Sequence, residues 1–173
     1  MANYGVIDLG SNSVRLVIFD VKDGISKKKP ITCKDFRSII NDKVMAGLSA
    51  YVDAGEFTPE GIARAVDVLS GHLKRARYFN CVRTDIFATA VLRNCTNFRE
   101  AISAIEKAIG APVNLLSARD EAHLSFTGAS CDRTIEKGTV VDLGGGSTEL
   151  IRVEGGCDFD DVSIGQGSLS SYA

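Results

Sequence analysis

Residues 8–16 read Asp-Leu-Gly-Ser-Asn-Ser-Val-Arg-Leu, and residues 142–150 read Asp-Leu-Gly-Gly-Gly-Ser-Thr-Glu-Leu. Asp, Leu, Gly, Ser and Leu coincide in the two copies. Each copy follows a short apolar run (Gly5-Val6-Ile7; Thr139-Val140-Val141) and leads into another (Leu16 to Val21; Leu150 to Val153). An internal repeat changes the reading of a whole fold. This one predicts two equivalent hairpins, each a strand, a tight polar turn and a second strand, the first closed by Asp23-Gly24. A strand that ends in aspartate and turns through glycine and serine presents backbone N–H groups and a hydroxyl at its tip, where a phosphate oxygen can accept them. The aspartate one step back is hard and anionic, suited to a magnesium ion held partly through water. A plain Gly/Ser turn requires neither the aspartate nor the serine. Two matching copies therefore favour a pair of tips that grip a chain of phosphates from both sides.

Outward from the first copy, residues 25–57 combine a basic, turn-like tract (Ser26 to Pro30) with a possible strand, Ile31 to Ile40, and glycine-containing loop. Thr58-Pro59 then supplies an N-cap and a proline at the first helical position, where a missing N–H costs nothing. Ile62, Ala65, Val66, Leu69, Leu73 and Ala76 recur at spacings of three and four, an apolar stripe on a helix that reaches about Arg77. Thr84 to Thr89 reads as a strand, with Ala90 to Arg93 as its exit. Thr96 or Asn97 caps a second helix whose core face is Phe98, Ile102, Ile105 and Ile109, ended by Gly110 and Pro112. Val113 to Leu116 is a strand, Ser117 caps a third helix to about Ala129, and Thr139 to Asp142 is a strand. Strands alternate with helices, so the fold class is α/β.

Composition sets limits on function. The 173 residues are 45% hydrophobic and 24% charged, with 20 basic against 22 acidic side chains. That is the usage of a soluble globular domain. It lacks the basic excess of a general nucleic-acid binder, so any anion site must be local. No apolar run is long enough to cross a bilayer, and the opening Met-Ala-Asn-Tyr-Gly-Val-Ile lacks the layout of a secretory signal. A cytoplasmic protein with no membrane and no nucleic-acid partner is expected. Cys33, Cys81, Cys95, Cys131 and Cys157 are scattered, with no Cys-x-x-Cys pair, and read as small buried apolar groups rather than a disulfide framework or zinc cluster. His72 and His123 read as packing or surface residues, and Lys27, Lys28 and Lys29 as a solvated turn able to graze a polyanion.

Four stretches, in order, carry a family resemblance: GVIDLGSNSVRLVIFD (5–20), FATAVLRNCTNFREAI (87–102), LLSARDEAHLSFTG (115–128) and VVDLGGGSTELI (140–151). Together they resemble the first phosphate loop, the Ala-Thr-x-x-x-Arg segment, the catalytic-helix segment and the second phosphate loop of the exopolyphosphatase / guanosine pentaphosphate phosphohydrolase family, which has the actin-like ATPase fold. The resemblance implies an actin-like (ribonuclease H-like) lobe with a mixed sheet flanked by helices over residues 1–116. Residues 117–173 would then hold a connecting helix and the first strands of a second, similar lobe. It also implies metal-assisted hydrolysis of a terminal phosphoanhydride, releasing orthophosphate from polyphosphate or guanosine pentaphosphate with Mg2+ or another divalent cation.

Carried over by position, Glu121 matches the glutamate that activates the attacking water, and Arg93 the arginine after the Ala-Thr segment. Ser11, Asn12, Ser13 and Arg15 match the phosphate contacts of the first loop, and Gly144, Gly145, Gly146 and Ser147 those of the second. Asp8, Asp142 and Glu149 match acids around the metal and the water. These roles agree with general chemistry: phosphoryl transfer to water is catalysed by positioning and charge neutralisation, with one carboxylate orienting the nucleophile. Arginine's planar fork pairs with two phosphate oxygens at once.

Ala118 stands where the family usually has glycine, and Asp120 where it commonly has glutamate. The family's second lobe continues well past the position of Ala173, so a fragment, a truncated product, or one half of an assembly such as a homodimer or a pair with a second-lobe chain is expected. A sheet cut short leaves unpaired edge groups. Two other functions compete with hydrolysis. An actin-like-fold kinase would transfer phosphate from ATP, though its adenosine-binding part lies in the second lobe and no Walker-type Gly-x-x-x-x-Gly-Lys loop is present. A non-catalytic phosphate or nucleotide sensor would keep the loops and lack turnover.

Overall fold

A computed structural model describes residues 1–22 and 32–165, with side chains described as far as Gly156. The expected closure at Asp23-Gly24, the lysines 27–29 and the Cys157 side chain lie outside the described residues. The chain starts with β1 (Ala2–Leu9), β2 (Ser13–Val21) and β3 (Phe36–Met45), joined antiparallel. A 3-10 turn (Leu48–Tyr51) and a two-residue ribbon, β4 (Val52–Asp53) with β5 (Glu56–Phe57), lead to helix α1 (Pro59–Tyr78). Then come β6 (Cys81–Ala88), the short α2 (Ala90–Arg93), α3 (Phe98–Ile109) and β7 (Asn114–Leu115). Helix α4 (Ala118–Ala129) precedes β8 (Lys137–Leu143), β9 (Ser147–Glu154) and β10 (Cys157–Gly165).

Four long strands and the two-residue β7 make one mixed sheet, ordered β3-β2-β1-β6-β7, with β1, β6 and β7 parallel. Alternation decides its faces: Ile7, Leu9, Val14, Leu16 and Ile18 are fully buried on the side covered by α1, against which α3 packs, as a period of two requires. The last three strands form an antiparallel sheet, β10-β9-β8, with β8 and β10 at its edges among the described residues. Ala122 and Phe126 of α4 pack on Ile151 and Val153 there, in a separate apolar cluster. The α/β class and the two hairpins are as expected, and no helix of the described residues is long and apolar enough to cross a membrane.

Local chemistry explains the helices. Thr58 Oγ1 accepts the Gly61 N–H at 3.2 Å, with Pro59 at the first turn. Ser117 and Asp120 form a reciprocal capping box at the start of α4. Several expectations need correction. The extended segment expected at Ile31–Ile40 is described as strand only from Phe36 and runs on to Met45. The stripe of α1 is wider than expected: Val68 and His72 are buried beside Ala65, Leu69, Leu73 and Ala76, and Ile62 and Val66 pack partly buried against the same core. Asn97 does not cap α3 with its side chain; instead it exchanges two hydrogen bonds with the Phe57 backbone, 2.9 and 3.0 Å, tying α3 to β5. The cysteines are not uniformly buried: Cys95 is, Cys33 and Cys81 are half-buried, and Cys131 is exposed, because it lies on the turn after α4, beyond the apolar cluster.

His72 sits inside a polar anchor. Its Nε2 lies 3.3 Å from the Val14 carbonyl and its Nδ1 3.4 Å from Asp42 Oδ2, which also accepts a hydrogen bond from Arg75. The cluster links α1 to β2 and β3 just behind the first turn.

Candidate active site

The repeat seen in the sequence is also a repeat in geometry. In the first hairpin Asp8 stands opposite Arg15 and Leu9 opposite Val14; in the second Asp142 stands opposite Glu149 and Leu143 opposite Thr148. The Gly10 N–H donates to the Ser13 carbonyl at 3.1 Å, and the Gly144 N–H to the Ser147 carbonyl at 2.9 Å. The two turns are therefore closed by the same bond at the same place. In the first, the Ser11 and Asn12 carbonyls are taken by the amides of Ala46, Gly47 and Ser49.

The tips meet. A Cβ added to Gly145 would lie 2.9 Å from Asn12 Nδ2, and one on Gly146 would lie 2.1 Å from Ser11 Oγ. Neither glycine has positive φ, so they are not needed for a left-handed turn. They let one loop approach the other. Sequence reasoning credits the small residues only with admitting phosphate; loop-to-loop packing is a second reason.

Between the hairpins lies a cavity of about 520 Å³. It is lined by Asp8, Ser11, Asn12, Ser13 and Arg15 on one side and by Asp142, Gly144, Gly145, Gly146, Ser147 and Glu149 on the other, with Glu121 among them. The structure thus brings together every site residue expected from sequence except Arg93. Arg93 does not line the cavity; its Nη1 donates to Glu121 Oε2 at 2.7 Å and to the Leu116 carbonyl at 3.1 Å. Both partners of this ion pair are largely buried, with side chains 17% and 18% exposed. Arg93 thus ties the Glu121 carboxylate to the chain at Leu116. Gly10 and Leu143 of the two turns, together with Lys43, Met45, Thr89 and Ala90, complete the lining, and the last four are not among the site residues expected from the sequence. Thr89 and Ala90 follow the carboxyl end of β6, the usual side for ligands in parallel sheets, and Thr89 belongs to the Ala-Thr segment quoted above. Lys43 and Met45 carry no motif at all.

The cavity is uneven in charge. Burial pushes the Glu121 carboxyl up; the Arg93 hydrogen bond and charge oppose this, while Glu149 and Asp8 add to it. Burial likewise raises Asp8, with Arg15 acting against it and Asp142 with it. Asp142 accepts a hydrogen bond from Ser125 of α4. Asp142 and Glu149 are like charges directly across a strand pair, an arrangement that is unfavourable by itself. Among the described residues no three His, Cys, Asp or Glu side chains are grouped to hold a metal ion by themselves. The donor set still fits magnesium, which typically takes one or two carboxylates and completes its shell with water and substrate phosphates.

A model of the Ppx/GppA phosphatase family matches residues 6–168. The chain belongs to this family. Exopolyphosphatase 2 of Mycobacterium tuberculosis is 30% identical over 159 residues, covering 87% of this chain and 48% of that protein. The guanosine-5'-triphosphate,3'-diphosphate pyrophosphatase of Vibrio cholerae is 31% identical over 153 residues, covering 88% of this chain and 29% of that protein. The crystal structure of an exopolyphosphatase from Cytophaga hutchinsonii superposes with a TM-score of 0.82 at 26% identity, over 95% of this chain and 51% of that one. The fold is therefore the actin-like fold of Ppx/GppA proteins, and the chain spans about half the length of several of the relatives it matches.

Proposed function

We propose that the chain carries the phosphate-gripping and water-activating part of a phosphoanhydride hydrolase, releasing terminal orthophosphate from inorganic polyphosphate or guanosine pentaphosphate. The observation that supports it best is the meeting of two equivalent hairpin tips across one cavity that Glu121 also lines. The names of the relatives from M. tuberculosis and V. cholerae point to the same two substrates. In this reading residues 1–116 form the first lobe, and residues 117–173 supply the connecting helix and the start of the second.

Ser11, Asn12, Ser13 and Arg15, facing Gly144, Gly145, Gly146 and Ser147, hold the oxygens of the phosphate chain through amides, hydroxyls and a guanidinium. Glu121 accepts the proton of the attacking water. A base with a raised pKa takes a proton more readily near neutral pH, and burial raises this one. Arg93 works against the burial penalty on the Glu121 carboxylate and fixes its direction through the hydrogen bond to Oε2. One or two of Asp8, Asp142 and Glu149 would hold Mg2+, with water and substrate phosphates completing its shell; when bound it supplies charge neutralisation for the phosphate oxygens.

The test is magnesium-dependent orthophosphate release from long-chain polyphosphate and from guanosine pentaphosphate, in parallel for wild type and Glu121→Gln. A drop of about 10²–10⁴-fold in the variant is expected, the usual contribution of a positioned acid–base group. Equal rates would remove Glu121 from the mechanism. Phosphate-chain binding without turnover in either protein would make the module a sensor.

A further inference from the structure

Strand register carries the cavity's cationic wall beyond the residues considered so far. Asp8 of β1 stands opposite Arg15 of β2, and Arg15 stands opposite Lys43 of β3. All three lie on the sheet face away from α1, and all three line the cavity. The neighbouring residue Asp42 points to the covered face, where it meets His72 and Arg75, so it does not serve Lys43. Among the described residues no carboxylate lies within ion-pair distance of Lys43.

Two cations directly opposite on adjacent strands repel one another. Arg15 has the partial compensation of Asp8; Lys43 has none from the described residues. An anion seated over the pair would reverse the penalty. Strands are spaced about 4.8 Å apart, so the row from Asp8 to Lys43 spans about 10 Å. That exceeds one phosphate and suits several consecutive ones.

We propose that Lys43, together with Arg15, forms a distal phosphate seat that makes the site selective for the length of an unbroken phosphate chain. The inference rests on the hydrolase reading above and narrows its substrate. Linear inorganic polyphosphate fills the distal seat with phosphate, whereas a nucleotide places its sugar there once its short phosphate run is used up. Lys43 is a specificity residue that acts on binding, away from the water and Glu121.

The experiment measures pyrophosphate and long-chain polyphosphate binding by calorimetry, across a salt series, for the full chain carrying Lys43, Lys43→Gln or Lys43→Arg. Lys43→Gln is expected to lower polyphosphate affinity about tenfold relative to pyrophosphate affinity. It should also reduce the slope of log affinity against log salt by about one, the loss of one phosphate contact. Lys43→Arg, which keeps the charge, should restore most of the difference. Where turnover is measurable the change should fall on KM. Wild type binding both probes, with Lys43→Gln showing the same ratio and slope, would overturn the distal seat and leave the hydrolase reading standing. Wild type binding neither probe would overturn both.

Discussion

Replacing Gly146 by alanine tests whether the two loops touch. The added Cβ would sit 2.1 Å from Ser11 Oγ, 3.1 Å from Ser11 Cβ and 3.5 Å from Ala90 Cβ. The first distance is far inside van der Waals contact. Ser11 is 6% exposed, so it has little room to retreat. Overpacking a tight site costs about 1–3 kcal/mol, and in a chain of this size each kcal/mol lowers Tm by about 2–4 °C. Gly146→Ala should therefore melt about 2–12 °C below wild type in a thermal scan. Because its φ is ordinary, backbone strain adds nothing, and the whole penalty comes from Ser11. Removing the obstacle should then remove the cost: the double variant Ser11→Gly, Gly146→Ala should match Ser11→Gly alone within about 0.5 kcal/mol, the limit of additivity error. If Gly146→Ala melts like wild type, or if its loss persists undiminished on the Ser11→Gly background, the loops do not pack as described.

Two further outcomes follow from the electrostatics. Arg93→Met removes the group that opposes the burial of Glu121; the Glu121 pKa then rises further, so the acidic limb of the phosphate-release profile should move to higher pH, and an unmoved limb would detach Arg93 from Glu121. Burial raises Asp8 and Glu121 above their unfolded values, so their ionisation opposes folding and stability falls as pH rises through those raised values. Mg2+ that binds the ionised acids should accordingly raise Tm near neutral pH and have little effect in acid, where the carboxyls are protonated; a thermal shift that ignores pH would exclude the carboxylates as its ligands.

Much of this architecture could be read from the chain because its signals are local. Thr58-Pro59 and the spacing of Ala65, Leu69, Leu73 and Ala76 define α1 within a few turns of backbone. The echo between residues 8–16 and 142–150 reports a shared hairpin because turn chemistry depends on adjacent residues. What escaped depends on pairing between distant strands. In β3, Ile40 and Val44 touch the core while Arg37, Ser38, Ile39, Asn41, Lys43 and Met45 are exposed, so the strand has no strong apolar alternation. Its neighbour relation to Arg15 is set by register. Arg93 and Glu121 are 28 residues apart, and only a resemblance could suggest both; nothing in their spacing says that one holds the other.

The shared register of the hairpins puts Arg15 and Glu149 at matching positions, opposite Asp8 and Asp142. The backbone is repeated but the sign is inverted. A ligand lying between them therefore cannot be turned end for end without exchanging its surroundings, and a symmetrical, headless polymer would still acquire a direction on entering.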